Sequence, residues 1–137
     1  MICLTRHSWP PTATVLNFKD SDEAVILILD TAAAAKIAHD QWKAYESFPK
    51  RLPTNHATLT RTGELWIPMV HVTWEGTPEF SDGRHRTLTM QNLGYTTVPV
   101  LASRKTADAL QPLWGSINAA HEEYKFPDSK NMAFVGR

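Results

Sequence analysis

The run Ala24-Val-Ile-Leu-Ile-Leu-Asp30 constrains this chain more than any other stretch. It is continuously apolar, rich in β-branched and aliphatic side chains, and bounded by polar residues. That pattern predicts a strand buried on both faces, which must be covered by other elements on each side. The residues that follow supply cover. Asp30 or Thr31 can cap a helix running to Tyr45, in which Ala34, Ile37, Ala38, Gln41, Trp42 and Tyr45 share one face at helical spacing. Phe48-Pro-Lys-Arg-Leu-Pro53 then ends the helix, because proline cannot continue it and biases its predecessor to extended geometry.

Further along, Thr58-Leu-Thr-Arg alternates and meets the turn signal Thr62-Gly63. Residues 64–73 follow, with Leu65, Ile67, Met69 and His71 on one side of an extended run. Both stretches predict strands, joined as a hairpin through Gly63. Glu75-Gly-Thr-Pro78 is a second turn. Residues 94–102 predict another strand, whose Pro99 favours an edge or irregular position. A helix is expected over about residues 105–114. Residues 1–14 and 125–137 predict irregular ends. The layout is one α/β or α+β domain spanning residues 1–137, without repeats or linkers.

The chain has 137 residues, 42% of them hydrophobic and 20% charged, which suits a globular domain with its own core. Fourteen basic residues balance fourteen acidic ones, which argues against a protein that coats nucleic acid but leaves room for a local basic site. The lone cysteine, Cys3, excludes an internal disulfide and any multi-cysteine zinc site. No apolar run is long enough to span a bilayer, and the N-terminus lacks a secretory pattern. The expectation is a cytoplasmic protein, with delivery by a dedicated secretion system as the alternative. The six histidines form no HxxxH or HExxH pair. Trp42 and Trp66 read as core, while Trp9 and Trp74 flank turns where an exposed indole could stack on a base or anchor a partner.

Within this neutral chain, Phe80-Ser-Asp-Gly-Arg-His-Arg concentrates positive charge behind a glycine. The expected local architecture is strand, glycine turn, helix, with Gly94 as the C-terminal cap. Cations are disfavoured at a helix N-terminus, where the dipole is positive and unpaired N–H groups point outward. Arg84, His85 and Arg86 at that first turn are therefore in conflict with the helix unless an anion joins them. Phosphate fits, since arginine offers a bidentate fork and glycine permits close approach. Against this stands a plainer reading, in which Asp82 caps the helix and pairs with Arg86 as a solvated salt-bridge cluster. Glu79 and Glu75 lie near the loop, where a carboxylate could hold Mg²⁺ or act as a base, or serve only as turn-surface charge.

Residues 80–102, FSDGRHRTLTMQNLGYTTVPVLA, resemble the core signature of the ParB/sulfiredoxin superfamily. The matching features are Phe80, the loop Gly83-Arg84-His85-Arg86, a helix to Leu93, Gly94, and Thr97-Val98-Pro99-Val100. The resemblance implies a single small ParB/sulfiredoxin-like domain with a mixed sheet, whose loop cradles nucleotide phosphates: ATP in sulfiredoxin, CTP in partition ParB proteins. Carried over, Ser81, Gly83, Arg84, His85, Arg86 and Thr87 would bind phosphate, with His85, Asp82 and Glu79 as catalytic candidates and Mg²⁺ as a companion ion. Arg84 stands where sulfiredoxin has its catalytic cysteine, so sulfinic-acid repair is not implied. With 35 residues after Ala102 in this sequence and a neutral charge, the centromere binding and sliding-clamp behaviour of partition ParB proteins are not expected.

The DGRHR form is similar to ParB-like domains of plasmid fertility-inhibition factors and of some bacterial nuclease or effector domains. The role this implies is fertility inhibition or action against a competing element, with ATPase or DNase activity and a nucleotide or DNA as partner. Two alternatives stand beside it: a non-enzymatic inhibitor that blocks a protein partner, and a nuclease effector.

Overall fold

A computed structural model describes residues 2–5, 23–42, 51–127 and 132–136. Among them the elements run β1 (Ile2–Thr5), β2 (Ala24–Asp30), α1 (Thr31–Trp42), α2 (Arg51–Thr62), β3 (Glu64–Trp66), β4 (Met69–Val72), β5 (Pro78–Asp82), α3 (Arg84–Asn92), β6 (Thr97–Ser103) and α4 (Arg104–Trp114). A short 3₁₀ turn (Ala120–Glu122), β7 (Tyr124–Lys125) and β8 (Phe134–Val135) complete the order. The result is a mixed α/β domain with four described helices and two sheets.

The larger sheet has the order β5-β4-β6-β2-β8. β2 lies inside it, antiparallel to β6 along its whole length and parallel to β8. As its composition predicts, Val25 to Leu29 are all buried, and both faces are therefore covered. The Asp30 carboxylate accepts hydrogen bonds from the Ala32 and Ala33 amides, capping α1. Ala34, Ala35, Ile37 and Ala38 are buried, and the small alanines let α1 lie close to its neighbours. The expected continuation to Tyr45, the Trp42 side chain and Trp9 lie outside the described residues.

Gln41 closes the outer edge of the sheet. Its amide donates from Nε2 to the Phe80 carbonyl (3.0 Å) and accepts at Oε1 from the Phe80 N–H (2.9 Å). A side chain thus takes the place of a further strand on β5, leaving less unpaired backbone for edge association.

Several expectations are corrected. Residues 58–61 belong to the helix α2, not to a strand, so there is no hairpin through Gly63. The threonines there suggest a strand, but Pro53 lies in the first helical turn, where its missing N–H costs nothing, and Leu59 packs against the core. Gly63 ends that helix, donating to the Leu59 carbonyl at 2.7 Å.

Residues 64–73 form two strands in different sheets. Ile67 donates its N–H to Thr5 of the small sheet, and the carbonyl of Pro68 accepts from Leu101 of the large one. The chain changes sheets at that proline. Leu65, Ile67 and Met69 are buried as expected, but Trp66 is 46% exposed and is not a core residue.

β6 is internal, although Pro99 pointed to an edge. Its partnership with β4 is confined to Met69 and Leu101. Leu101 turns its N–H towards that flank, and by alternation Pro99 faces the same way, short of the paired position, so no ladder bond is lost. The ends also carry strands. β1 is the centre of the parallel sheet β3-β1-β7, and β8 pairs with β2.

Candidate functional site at the β5–α3 corner

The expected strand–glycine–helix unit forms over β5, Gly83 and α3. Gly83 is the N-cap and adopts φ 90°, a left-handed conformation that glycine takes without penalty. A Cβ here would also lie 2.7 Å from Pro68, so the position excludes other residues twice over. At the far end Gly94 and Tyr95 donate to the Gln91 and Met90 carbonyls, the paired bonds of a Schellman cap.

Asp82 does not cap the helix. It pairs instead with Arg86, Nη2 to Oδ2 at 2.7 Å, while the Arg86 Nε donates to the Trp66 carbonyl at 2.9 Å. The plainer reading is therefore half right: the ion pair exists and the cap does not. The guanidinium is held by β3 and β5 together, and its side chain retains 14% of its surface. Thr87 is fully buried, with its hydroxyl bonded to the Gly83 carbonyl, so its side chain serves the helix turn. Arg84 and His85 occupy the half-buried first turn.

Arg86 borders a pocket of about 390 Å³ whose other walls are Thr5, Asn55, Thr58, Thr62, Glu64, Leu65 and Trp66. Asn55, Thr58 and Thr62 recur every three or four residues and so present one polar face of α2. Reading that segment as a strand hid this face. The helical spacing of Asn55, Thr58 and Thr62 was the signal that could have found it.

Ser81 and Glu79 meet a different partner. β5 carries a bulge: Met69 pairs with Asp82 and Val70 with Phe80, leaving Ser81 as the extra residue. The Ser81 Oγ lies 2.6 Å from the His71 Nδ1, and the His71 Nε2 lies 3.7 Å from the Glu79 carboxylate. Glu75 lies exposed in the turn between β4 and β5. His121 packs its ring against Phe126 and Phe134 at 5.4 and 5.0 Å.

Among the described residues no group of three or more His, Cys, Asp or Glu is placed to hold a metal ion, and no helix is long and apolar enough to cross a membrane. Comparison of the chain with protein-family models, with curated proteins and with solved structures finds no match.

Proposed function

We propose that the β5–α3 corner binds the phosphates of a nucleotide, in the manner of the ParB/sulfiredoxin-like domains that residues 80–102 resemble. The observation that carries this reading is the position of Arg86. It links the positive first turn of α3 to a pocket of about 390 Å³ walled by both polar and apolar side chains. In this arrangement Gly83 allows the phosphate to approach the backbone, Arg84, His85 and Arg86 supply charge, and the pocket beyond Arg86 receives the sugar and base. The Trp66 indole and the Asn55, Thr58 and Thr62 side chains offer stacking and hydrogen bonds there. ATP and CTP are the first ligands to try, with Mg²⁺. Hydrolysis of the nucleotide, or cleavage of DNA with His85, Asp82 and Glu79 taking part, would follow from the same site. The biological role proposed on the resemblance is fertility inhibition by a plasmid or other mobile element, exerted from the cytoplasm.

Thermal melting with ATP, CTP, GTP and Mg²⁺, on the wild type and on Arg86→Ala, tests the assignment. A ligand present at a hundred times its Kd stabilises the folded state by roughly 2.7 kcal/mol, several degrees in melting temperature for a domain of this size. The expected result is a shift with one nucleotide that disappears in the variant. Equal shifts in both proteins count against Arg86, and no shift with any nucleotide counts against the site.

A second reading, a non-enzymatic inhibitor that blocks a protein partner, draws on Trp74. Its indole is 94% exposed in the turn between β4 and β5. Single exposed apolar residues are common, but tryptophan is among the residues most enriched at binding hot spots. Inhibition that survives loss of Arg84 and Arg86 together but not Trp74→Ala would favour this reading.

A further inference from the structure

We propose that Ser81 is a nucleophile activated by His71, and that it attacks the phosphorus of a phosphate ester held at the β5–α3 corner. The choice of electrophile rests on the phosphate reading above; the activated serine does not.

The local geometry arises from the strand pairing. His71 stands directly opposite Glu79 in the β4–β5 ladder, and the bulge inserts Ser81 beside them. Bulges re-aim side chains and recur next to active sites. Here the Ser81 Oγ reaches the His71 Nδ1 at 2.6 Å, a short hydrogen bond. With the serine donating to Nδ1, the imidazole proton resides on Nε2, which faces the Glu79 carboxylate at 3.7 Å. The Glu79 carboxylate on that side orients the ring, so that Nδ1 stays turned towards the serine whose proton it takes. His71 and Glu79 are partly sheltered, with 17% and 24% of their side chains exposed, whereas Ser81 is open to solvent. The nucleophile is accessible and its base is positioned.

The same strand leads within two residues to Gly83 and the first turn of α3, where Arg84, His85 and Arg86 gather positive charge. Phosphoryl transfer needs such charge around the reacting group. In the step proposed, the Ser81 Oγ bonds to phosphorus as the ester P–O bond breaks. The serine proton passes to His71 Nδ1 and then to the departing alkoxide, which leaves as the alcohol. Water then attacks the phosphoserine with His71 as base, releasing phosphate and restoring the hydroxyl.

An alkyl fluorophosphonate tests this directly, because serine attack on its phosphorus expels fluoride and leaves a stable adduct. The expected result is an adduct mapped to Ser81 by tandem mass spectrometry and absent in Ser81→Ala. Labelling should be slower by at least roughly tenfold in His71→Gln and retarded in Glu79→Gln. Circular dichroism and melting temperature identify which variants remain folded, and the exposed Ser81→Ala serves as the folded reference. No adduct on Ser81, or undiminished labelling in both folded His71 and Glu79 variants, overturns the proposal. Labelling that saturating inorganic phosphate does not slow overturns the phosphate ester as electrophile. Failure of the nucleotide site alone looks different: melting is unmoved by nucleotides while Ser81 still labels in a His71-dependent way. In that case the phosphate ester falls with it and the activated serine stands.

Discussion

Gly83 packs against Pro68 so tightly that a Cβ on the glycine would lie 2.7 Å from both the Cα and the Cβ of the proline. The two residues occupy the two turning points of the site. At Pro68 the chain passes from the small sheet to the large one, and at Gly83 it leaves β5 for α3. Their contact holds the first turn of α3 beside the carbonyl of Trp66, which receives Arg86.

Gly83→Ala should therefore cost more than a left-handed conformation alone. That conformation costs an alanine about 1–2 kcal/mol, and forcing a methyl group into packed backbone adds about 1–3 kcal/mol. Gly94 provides the comparison, since it has φ 83° but nothing within 4 Å of an added Cβ. Denaturant unfolding should find Gly83→Ala less stable than Gly94→Ala by at least about 1 kcal/mol. Equal losses would mean that Pro68 gives way.

Asp82 competes for Arg86 with any anion at the corner. Neutralising it as Asp82→Asn should cost about 1 kcal/mol or less of stability, because the pair is only partly sheltered. The same change should tighten ATP or pyrophosphate binding by about three- to tenfold, read by calorimetric titration. Weaker binding would assign Asp82 to a metal or to the ligand itself.

Gln41→Ala removes both hydrogen bonds to Phe80 and uncovers backbone on the outer strand. The expected loss is about 1–2 kcal/mol in chemical unfolding, with faster concentration-dependent association seen by light scattering. Unchanged stability and association would show that α1 holds the edge by apolar packing alone.

Glu123 ties the end of the 3₁₀ turn to the start of β6. Its carboxylate accepts hydrogen bonds from the amides and hydroxyls of Thr96 and Thr97. Burial pushes its carboxyl upward, but those hydrogen bonds together outweigh it and hold the group below the ordinary value of 4.5. A carboxyl lowered on folding stabilises the protein fully above its unfolded value, and that contribution is lost as pH falls through the folded one. Wild-type stability should accordingly drop below about pH 4.5 by more than that of Glu123→Gln, which should itself be about 1–2 kcal/mol less stable at neutral pH. Parallel stability curves for the two proteins in acid would refute the assignment.

Local chemistry alone determined β2, the capped start of α1, and the strand–Gly83–α3 unit with its Schellman end. Each rests on signals from residues close in the chain: an unbroken apolar run, a carboxylate before a helix, a glycine at a left-handed turn. The sequence also disclosed the conflict of charge at α3 and offered the Asp82–Arg86 pair that partly resolves it, although the helix cap it offered alongside does not form. Tertiary structure decided the rest. Whether residues 51–62 curl into α2 depends on Leu59 meeting the core, and only that helix turns Asn55, Thr58 and Thr62 towards Arg86. The division of residues 64–73 between two sheets depends on distant acceptors and donors, Thr5 and Leu101, that no local pattern encodes. The Ser81–His71 contact likewise needs the β4–β5 register and its bulge. Conformational preference is a property of neighbours in sequence, whereas a pocket and a hydrogen-bonded pair across strands are properties of segments that only folding brings together.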